Sequence, residues 1–274
     1  MNPMKKMRPY LIIPLIASSL LMLLPFVWML SASLKTNVQV FQFPIQWIPK
    51  DPQWKNYLTI WTKINFGRYY FNTIKLTVII TLLQLLTCSL AAYAFAKLKF
   101  PERNGLFVAY IATMIIPFQV VMIPQFILMR NLGLVNKHLA LILLQAFSPF
   151  GVFLMRQFYL SIPDELIEAA RIDGLSEFGI YTKIMLPLSK PALASLTIFT
   201  FVFVWNDFLG PLIYLHSGDL RTIQLGIRMF ISQYSAEYAL IMAASVCSLI
   251  PVLIVFLACQ KYFVEGISLT GLKG

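Results

Sequence analysis

The chain has 274 residues, 59% of them hydrophobic and only 12% charged, with a mean hydropathy of +0.75 and a net charge of +11. A soluble domain carries about 45–50% apolar and about 25% charged residues, so this composition excludes an ordinary water-soluble globule and calls for a lipid-facing surface. The positive charge does not indicate nucleic acid: Lys and Arg lie scattered between apolar runs, with no basic stripe interleaved with aromatics, and they read as residues flanking membrane spans beside anionic headgroups.

A spanning helix needs about 20 mostly apolar residues to cross roughly 30 Å. Six runs qualify, over approximately 10–32, 72–96, 106–129, 139–159, 192–215 and 238–260. With no internal repeat or low-complexity segment, residues 1–274 are expected to form a single all-α membrane domain. The first run follows Lys5, Lys6 and Arg8 and ends at the small residues Ser31, Ala32 and Ser33, which resembles a signal peptide. It is longer than the roughly 7–15 residues of a typical signal core, so an uncleaved anchor is expected.

In the second run Ala92 and Ala96, four apart, permit close helix contact. Gln84, Gln119, Gln125 and Gln145 are candidates for interhelical hydrogen bonds. Prolines recur inside the runs at Pro14, Pro25, Pro117, Pro124, Pro149 and Pro251. Each removes a donor and tends to kink its helix, which lipid tolerates only where neighbours satisfy the freed carbonyl. Kinked, bundled spans suit a transporter better than an anchor. Cys88, Cys247 and Cys259 lie apart in apolar stretches without CxxC spacing, so neither a zinc site nor a disulfide framework is indicated. Basic residues at the N-terminus and in the short Lys97–Arg103 connection favour an inside N-terminus, but the opposite segments hold nearly as many, and charge counting alone leaves the orientation open.

The connection 160–191 is long and charged. Ser161 and Asp164 fit a capping-box pattern, with Pro163, Asp164 and Glu165 suited to a first helical turn. Gly174 supplies a left-handed stop, and Ser176 can cap a second short helix ending before Pro187. Ala169 and Ala170 offer a surface poor in side chains, and Glu168 a charge for a partner's Arg or Lys. The alternative is a solvated amphipathic connection that merely joins two spans.

Glu168-Ala169-Ala170, then Gly174, Ile184, Leu186 and Pro187 stand at the spacing EAA, G, I-LP. This pattern resembles the coupling loop of the permeases of binding-protein-dependent ABC importers. The resemblance extends along the chain to the second, maltose-type permease of carbohydrate importers: Phe71-Asn72-Thr73 opens the second run, Trp205-Asn206-Asp207 begins a WN-FL-PL stretch, and the tail ends in Thr270-Gly271-Leu272-Lys273.

The resemblance implies a type I importer bundle of six transmembrane helices with a cytoplasmic coupling helix that docks on a separate ATPase. It also implies a bacterial cytoplasmic membrane, both termini inside, and Thr270, Gly271 and Lys273 of the cytoplasmic tail 261–274 reaching toward the ATPase pair. The implied partners are a second permease, two ABC ATPase subunits, an extracytoplasmic solute-binding protein and a carbohydrate substrate.

Asp207 is the acidic residue within a span, and Asn206 adjoins it. Burying an ionised group there is costly, so this pair either lines a translocation path or makes a helix-packing contact. The stretch Gly218–Thr222 could meet a solute-binding protein or simply connect spans. No phosphate-cradling G-x-x-x-x-G-K-[ST], HExxH or GxSxG occurs. A non-enzymatic subunit is therefore expected, binding no cofactor or metal, with ATP used by its partners. A permease for another small solute, or a secondary carrier with intramembrane carboxylates and repeats, is the alternative. The sequence does not name the solute.

Overall fold

The structure, a computed structural model, describes residues 9–232 and 235–270. In chain order the helices are α1 (Pro9–Ser33), α2 (Lys55–Lys63), α3 (Phe66–Lys97), α4 (Arg103–Ala112), α5 (Phe118–Asn131), α6 (His138–Gln145), α7 (Pro149–Leu160), α8 (Glu165–Ile172), α9 (Glu177–Ile180), α10 (Leu186–Leu188), α11 (Lys190–Trp205), α12 (Leu209–Tyr214), α13 (Ile223–Arg228) and α14 (Tyr238–Thr270). Among the described residues β pairing amounts to one isolated bridge between Ile231 and Ala236.

Four stretches are long and apolar enough to cross a membrane: Ile12–Ser33, Phe66–Lys97, His138–Leu160 and Tyr238–Lys261. None of the spanning window of α1 is buried, and Leu20, Leu21 and Met22 are 63%, 70% and 73% exposed. A helix that is apolar all round belongs in hydrocarbon.

The other two expected spans are broken. Between α4 and α5 the chain turns by 99°. Proline disfavours helical geometry at the preceding residue, and Ile116, at φ −76° and ψ 114°, is extended before Pro117. Pro124, by contrast, sits inside α5. The run expected over 192–215 is also not one helix, because α11 stops at Trp205 and α12 begins at Leu209. A further 77° bend separates Glu177–Leu188 from α11. At the C-terminal end, α14 continues as one helix through Thr270, past the expected boundary at 260, with Pro251 inside it.

The backbone groups into two compact units. The first comprises the described residues as far as Phe66 together with Gly226–Leu249. Asn56 Nδ2 clasps its first connection, donating to the carbonyls of Ser33 at 2.8 Å and Lys35 at 2.9 Å. Ser33 and Tyr57 share a hydroxyl bond of 2.7 Å, Asn37 Nδ2 donates to Ala236 O at 2.8 Å, and Lys63 pairs with Glu237.

The second unit, Gly67–Leu225 with the described residues from Ile250 onward, is built around α3. Ala92 and Ala96 are both buried in its core beside Met155, Tyr159 and Leu196, the close contact their spacing predicts. Gly151 of α7 lies so near Cys88 and Leu196 that a Cβ there would meet Sγ at 2.7 Å.

Pro149 breaks the fourth span, since it cannot donate to Gln145 O. Three carbonyls around the break are taken by α3. Gln84 Nε2 donates to Gln145 O at 2.7 Å, Thr87 Oγ1 to Ala146 O at 2.8 Å and Cys88 Sγ to Ser148 O at 3.5 Å. Spacings of three and four put these side chains on one helix face. Thr200 Oγ1 donates to Gln84 Oε1 at 2.9 Å, so Gln84 is an interhelical bridge as expected, whereas Gln119 is exposed. Gln84→Leu strands an amide-bonded carbonyl and a buried hydroxyl, and is expected to cost about 1–3 kcal/mol. A lowered denaturation midpoint in detergent would register it; an unchanged midpoint would show that the bridge is dispensable.

Candidate functional site

Helix α8 of the 160–191 connection ends as its sequence demands. Gly174 adopts φ +81°, its N–H bonds Arg171 O at 3.0 Å, and Leu175 N–H bonds Ala170 O at 3.0 Å. This is the paired closure of a Schellman motif, for which glycine has no Cβ penalty. Ser176 caps α9 by accepting Gly179 N–H at 3.2 Å. The second helix does not stop before Pro187 but runs on through a π turn, Tyr181–Met185, into α10, so that Pro187 lies just past the π turn.

The expected capping box is not formed. Ser161 Oγ donates backward to Phe158 O at 2.7 Å, closing α7, and Asp164 makes no side-chain cap. Its carboxylate instead accepts from Lys97 Nζ at 2.5 Å, while Lys97 also donates to Ile162 O at 2.7 Å.

Lys97 is 4% exposed and Asp164 75%. The ammonium beside Asp164 holds its carboxyl below the usual carboxylate range. A depressed carboxylate contributes stability above its unfolded pKa, about 3.9, and that contribution is lost as pH falls through the folded value. Thermal midpoints of the wild type and Asp164→Asn should therefore differ at neutral pH and converge in acid below about pH 4. The gap should be small, because solvent screens so exposed a group; a gap independent of pH would refute the ion-pair account.

The seven signature residues divide between two faces. Glu168, Ala169 and Gly174 are exposed, as is Pro187. Ala170 is 5% exposed and belongs to the core, with Ile184 and Leu186 half-buried against it. Adjacent residues on a helix do not share a face, so the expected surface of two alanines is a surface of one, and Ala170 instead lets α8 sit close on its own bundle. Sequence reasoning missed the exposed apolar residues of this loop: Ile172 is 86% and Phe178 68% exposed.

The structure uses Asn206 and Asp207 to build the break between α11 and α12. Asn206 Nδ2 donates to Val202 O at 2.8 Å, closing α11. Asp207 Oδ1 accepts Gly210 N–H at 3.0 Å, opening α12, and Oδ2 accepts Gln145 Nε2 at 2.8 Å. A Cβ on Gly210 would fall 2.5 Å from Asp207 Oδ2, which leaves glycine the fitting residue. Asp207 borders a cavity of about 10 Å³ with Thr73, Gln145 and Thr222, room for no more than about one water. In this structure Asp207 bonds across the α11–α12 break and to α6, while Asn206 is exposed.

Asn72 and Thr73 of the Phe71-Asn72-Thr73 segment have a role the sequence did not reveal. Asn72 Nδ2 donates to Asp219 O at 2.8 Å and Arg221 O at 3.0 Å, and Thr73 Oγ1 accepts Ile223 N–H at 2.8 Å. Arg68 adds an ion pair to Asp219 at 2.8 Å. The connection Gly218–Thr222 is therefore pinned to α3. Of the expected tail contacts, Thr270 ends α14, and Gly271 and Lys273 lie outside the described residues.

Residues 84–269 match the family described as the inner membrane component of binding-protein-dependent transport systems. The chain belongs to this family. Among its relatives, this permease is 36% identical over 253 residues to the arabinooligosaccharides transport system permease protein AraQ of Halalkalibacterium halodurans, covering 91% of each chain. It is 33% identical to the lactose transport system permease protein LacG of Rhizobium radiobacter, over 91% of this chain and 90% of that one. It is also 36% identical to the sn-glycerol-3-phosphate transport system permease protein UgpE of Yersinia enterocolitica, over 92% and 93%. Its fold is similar to a chain of a bacterial ABC transporter involved in the import of the acidic polysaccharide alginate. There the TM-score is 0.81 at 26% identity, over 96% of this permease and 99% of that chain. The all-helical importer-permease fold that the loop signature implied is the fold observed.

Proposed function

We propose that this permease forms half of the translocation path of an ATP-driven importer for a sugar or oligosaccharide. It would pair with a second permease and two ATPase subunits, and receive its solute from an extracytoplasmic binding protein. The observation that carries the coupling role is helix α8, closed at Gly174, with Glu168 and Ala169 exposed and Ala170, Ile184 and Leu186 packed in the core beneath. A helical knob transmits displacement where a flexible connection would absorb it.

The arabinooligosaccharide, lactose and glycerol phosphate systems of the relatives support a carbohydrate or polyol cargo. In this reading the 160–191 loop, both termini and the tail with Gly271 and Lys273 lie on the cytoplasmic side. ATP is bound and hydrolysed by the partner subunits, since this chain has no phosphate-cradling motif. Asn206 is the stronger candidate for sugar hydroxyls because it is exposed, whereas Asp207 is half-buried and held by Gln145 and Gly210.

The test is uptake of a panel of labelled sugars by the importer reconstituted with its partner subunits in liposomes. Uptake is expected only with ATP inside and binding protein outside. Uptake that survives ATP depletion would point to a secondary carrier, and uptake of a non-carbohydrate solute alone would overturn the substrate class.

A further inference from the structure

Three polar contacts between α3 and the 160–191 loop lie on one ridge. Ser89, Tyr93 and Lys97 are four residues apart, so their side chains leave the same face of α3. Ser89 shares a hydroxyl bond of 2.7 Å with Tyr181 in the π turn. Tyr93 Oη donates to Glu177 Oε2 at 2.6 Å. Lys97 Nζ holds Ile162 O and Asp164, just before α8. The ridge thus grips the loop ahead of α8, at the head of α9 and in the π turn.

Glu177 is the node of this arrangement. Its Oε1 accepts Arg171 Nε, from the last turn of α8, at 2.8 Å, while Oε2 accepts Tyr93. One carboxylate therefore joins α8, α9 and α3. Apolar packing follows the same line: Ile167, Ala170, Ile180 and Met185 of the loop share a buried core with Ala92, Tyr93 and Ala96 of α3. Attached only through Leu160 and Lys190, α8 could shift while α3 stayed still. Charge-assisted bonds backed by close packing oppose that slip.

We infer that the loop and its end of α3 move as one body, and that Glu177 is a positioning residue that passes displacement of α8 directly into α3. The inference rests on the proposal that an ATPase docks on α8.

The test compares Tyr93→Phe and Glu177→Ala with Glu168→Arg in the assembled importer in liposomes, reading ATP hydrolysed per solute taken up. Tyr93→Phe removes one hydroxyl and keeps the ring. Loss of one charge-assisted bond should raise the ratio about tenfold, with the ATPase still co-purifying at wild-type stoichiometry. The double variant should be no worse than Glu177→Ala, because both act through one node. An unchanged ratio in Tyr93→Phe, or an ATPase that no longer co-purifies with it, would overturn the inference; because Tyr93→Phe decides, a failure of Glu177→Ala to assemble cannot rescue it. If Glu168→Arg leaves docking and uptake intact, the docking proposal itself has failed. If Glu168→Arg abolishes them and Tyr93→Phe changes nothing, only the present inference has.

Discussion

Gly151→Ala is expected to destabilise the protein by about 1–3 kcal/mol, the usual penalty for an extra methyl in a filled core. In an exposed helix the same change stabilises by up to about 1 kcal/mol, because alanine is the better helix former. The sign is reversed here by packing. A Cβ at Gly151 would stand 2.7 Å from Cys88 Sγ, 3.1 Å from Leu196 Cδ1 and 3.3 Å from Cys88 Cβ. The sulfur atom is the worst obstacle, so Cys88→Ala should cost less in the Gly151→Ala background than in the wild type, and Gly151→Val should resist rescue. Thermal midpoints of the four-membered cycle in detergent or nanodiscs would measure the coupling. A higher midpoint for Gly151→Ala alone would mean that α3, α7 and α11 are not so closely apposed.

The second large effect is expected on transport rather than on stability. Glu168 is exposed, and a surface change of this kind usually stays within about 0.5 kcal/mol. Glu168→Arg should therefore leave the thermal midpoint near that of the wild type while lowering uptake by roughly tenfold or more, the effect of losing one charge-assisted contact with a partner.

Gly174 provides a different control. Its Cβ would meet open space, so the penalty for a side chain there comes from φ +81° alone. A β-branched residue at this geometry costs about 1–2 kcal/mol, whereas asparagine visits the left-handed region readily. Gly174→Val should impair uptake and ATPase co-purification together, and Gly174→Asn should retain both. Full uptake in Glu168→Arg and Gly174→Val would remove the coupling role from this loop.

These residues also show what a sequence exposes and what it hides. Gly174 was legible because its requirement is local: a helix end followed by a left-handed residue needs glycine whatever surrounds it. The six apolar runs were legible because lipid imposes length and composition directly. The capping box failed because a distant partner won. Lys97, 67 residues from Asp164 in sequence, took the carboxylate that was expected to serve the helix. The end of α11 at Trp205 was hidden for a similar reason: the run is apolar again from Phe208 to Leu215, and the break is made by the side-chain bonds of Asn206 and Asp207. Pro117 marked the break, though not the 99° turn that it makes. Ala92 and Ala96 announced close contact by their spacing, whereas the tighter approach of Gly151 to Cys88 joins two runs with no pattern in common.

The break between α6 and α7 has a consequence for how the chain enters the membrane. Alone in hydrocarbon, this span would carry bare carbonyls at Gln145 and Ala146, the groups that Gln84 and Thr87 cover; each left unmet in lipid costs several kcal/mol. Since α3 is synthesised first, its side chains already stand in the bilayer when Pro149 emerges, and the order of translation delivers the chaperone before its client. A circular permutant that makes α6 and α7 ahead of α3 would leave a nascent span with nothing to shield it, exposed to the proteases that clear unfinished membrane proteins.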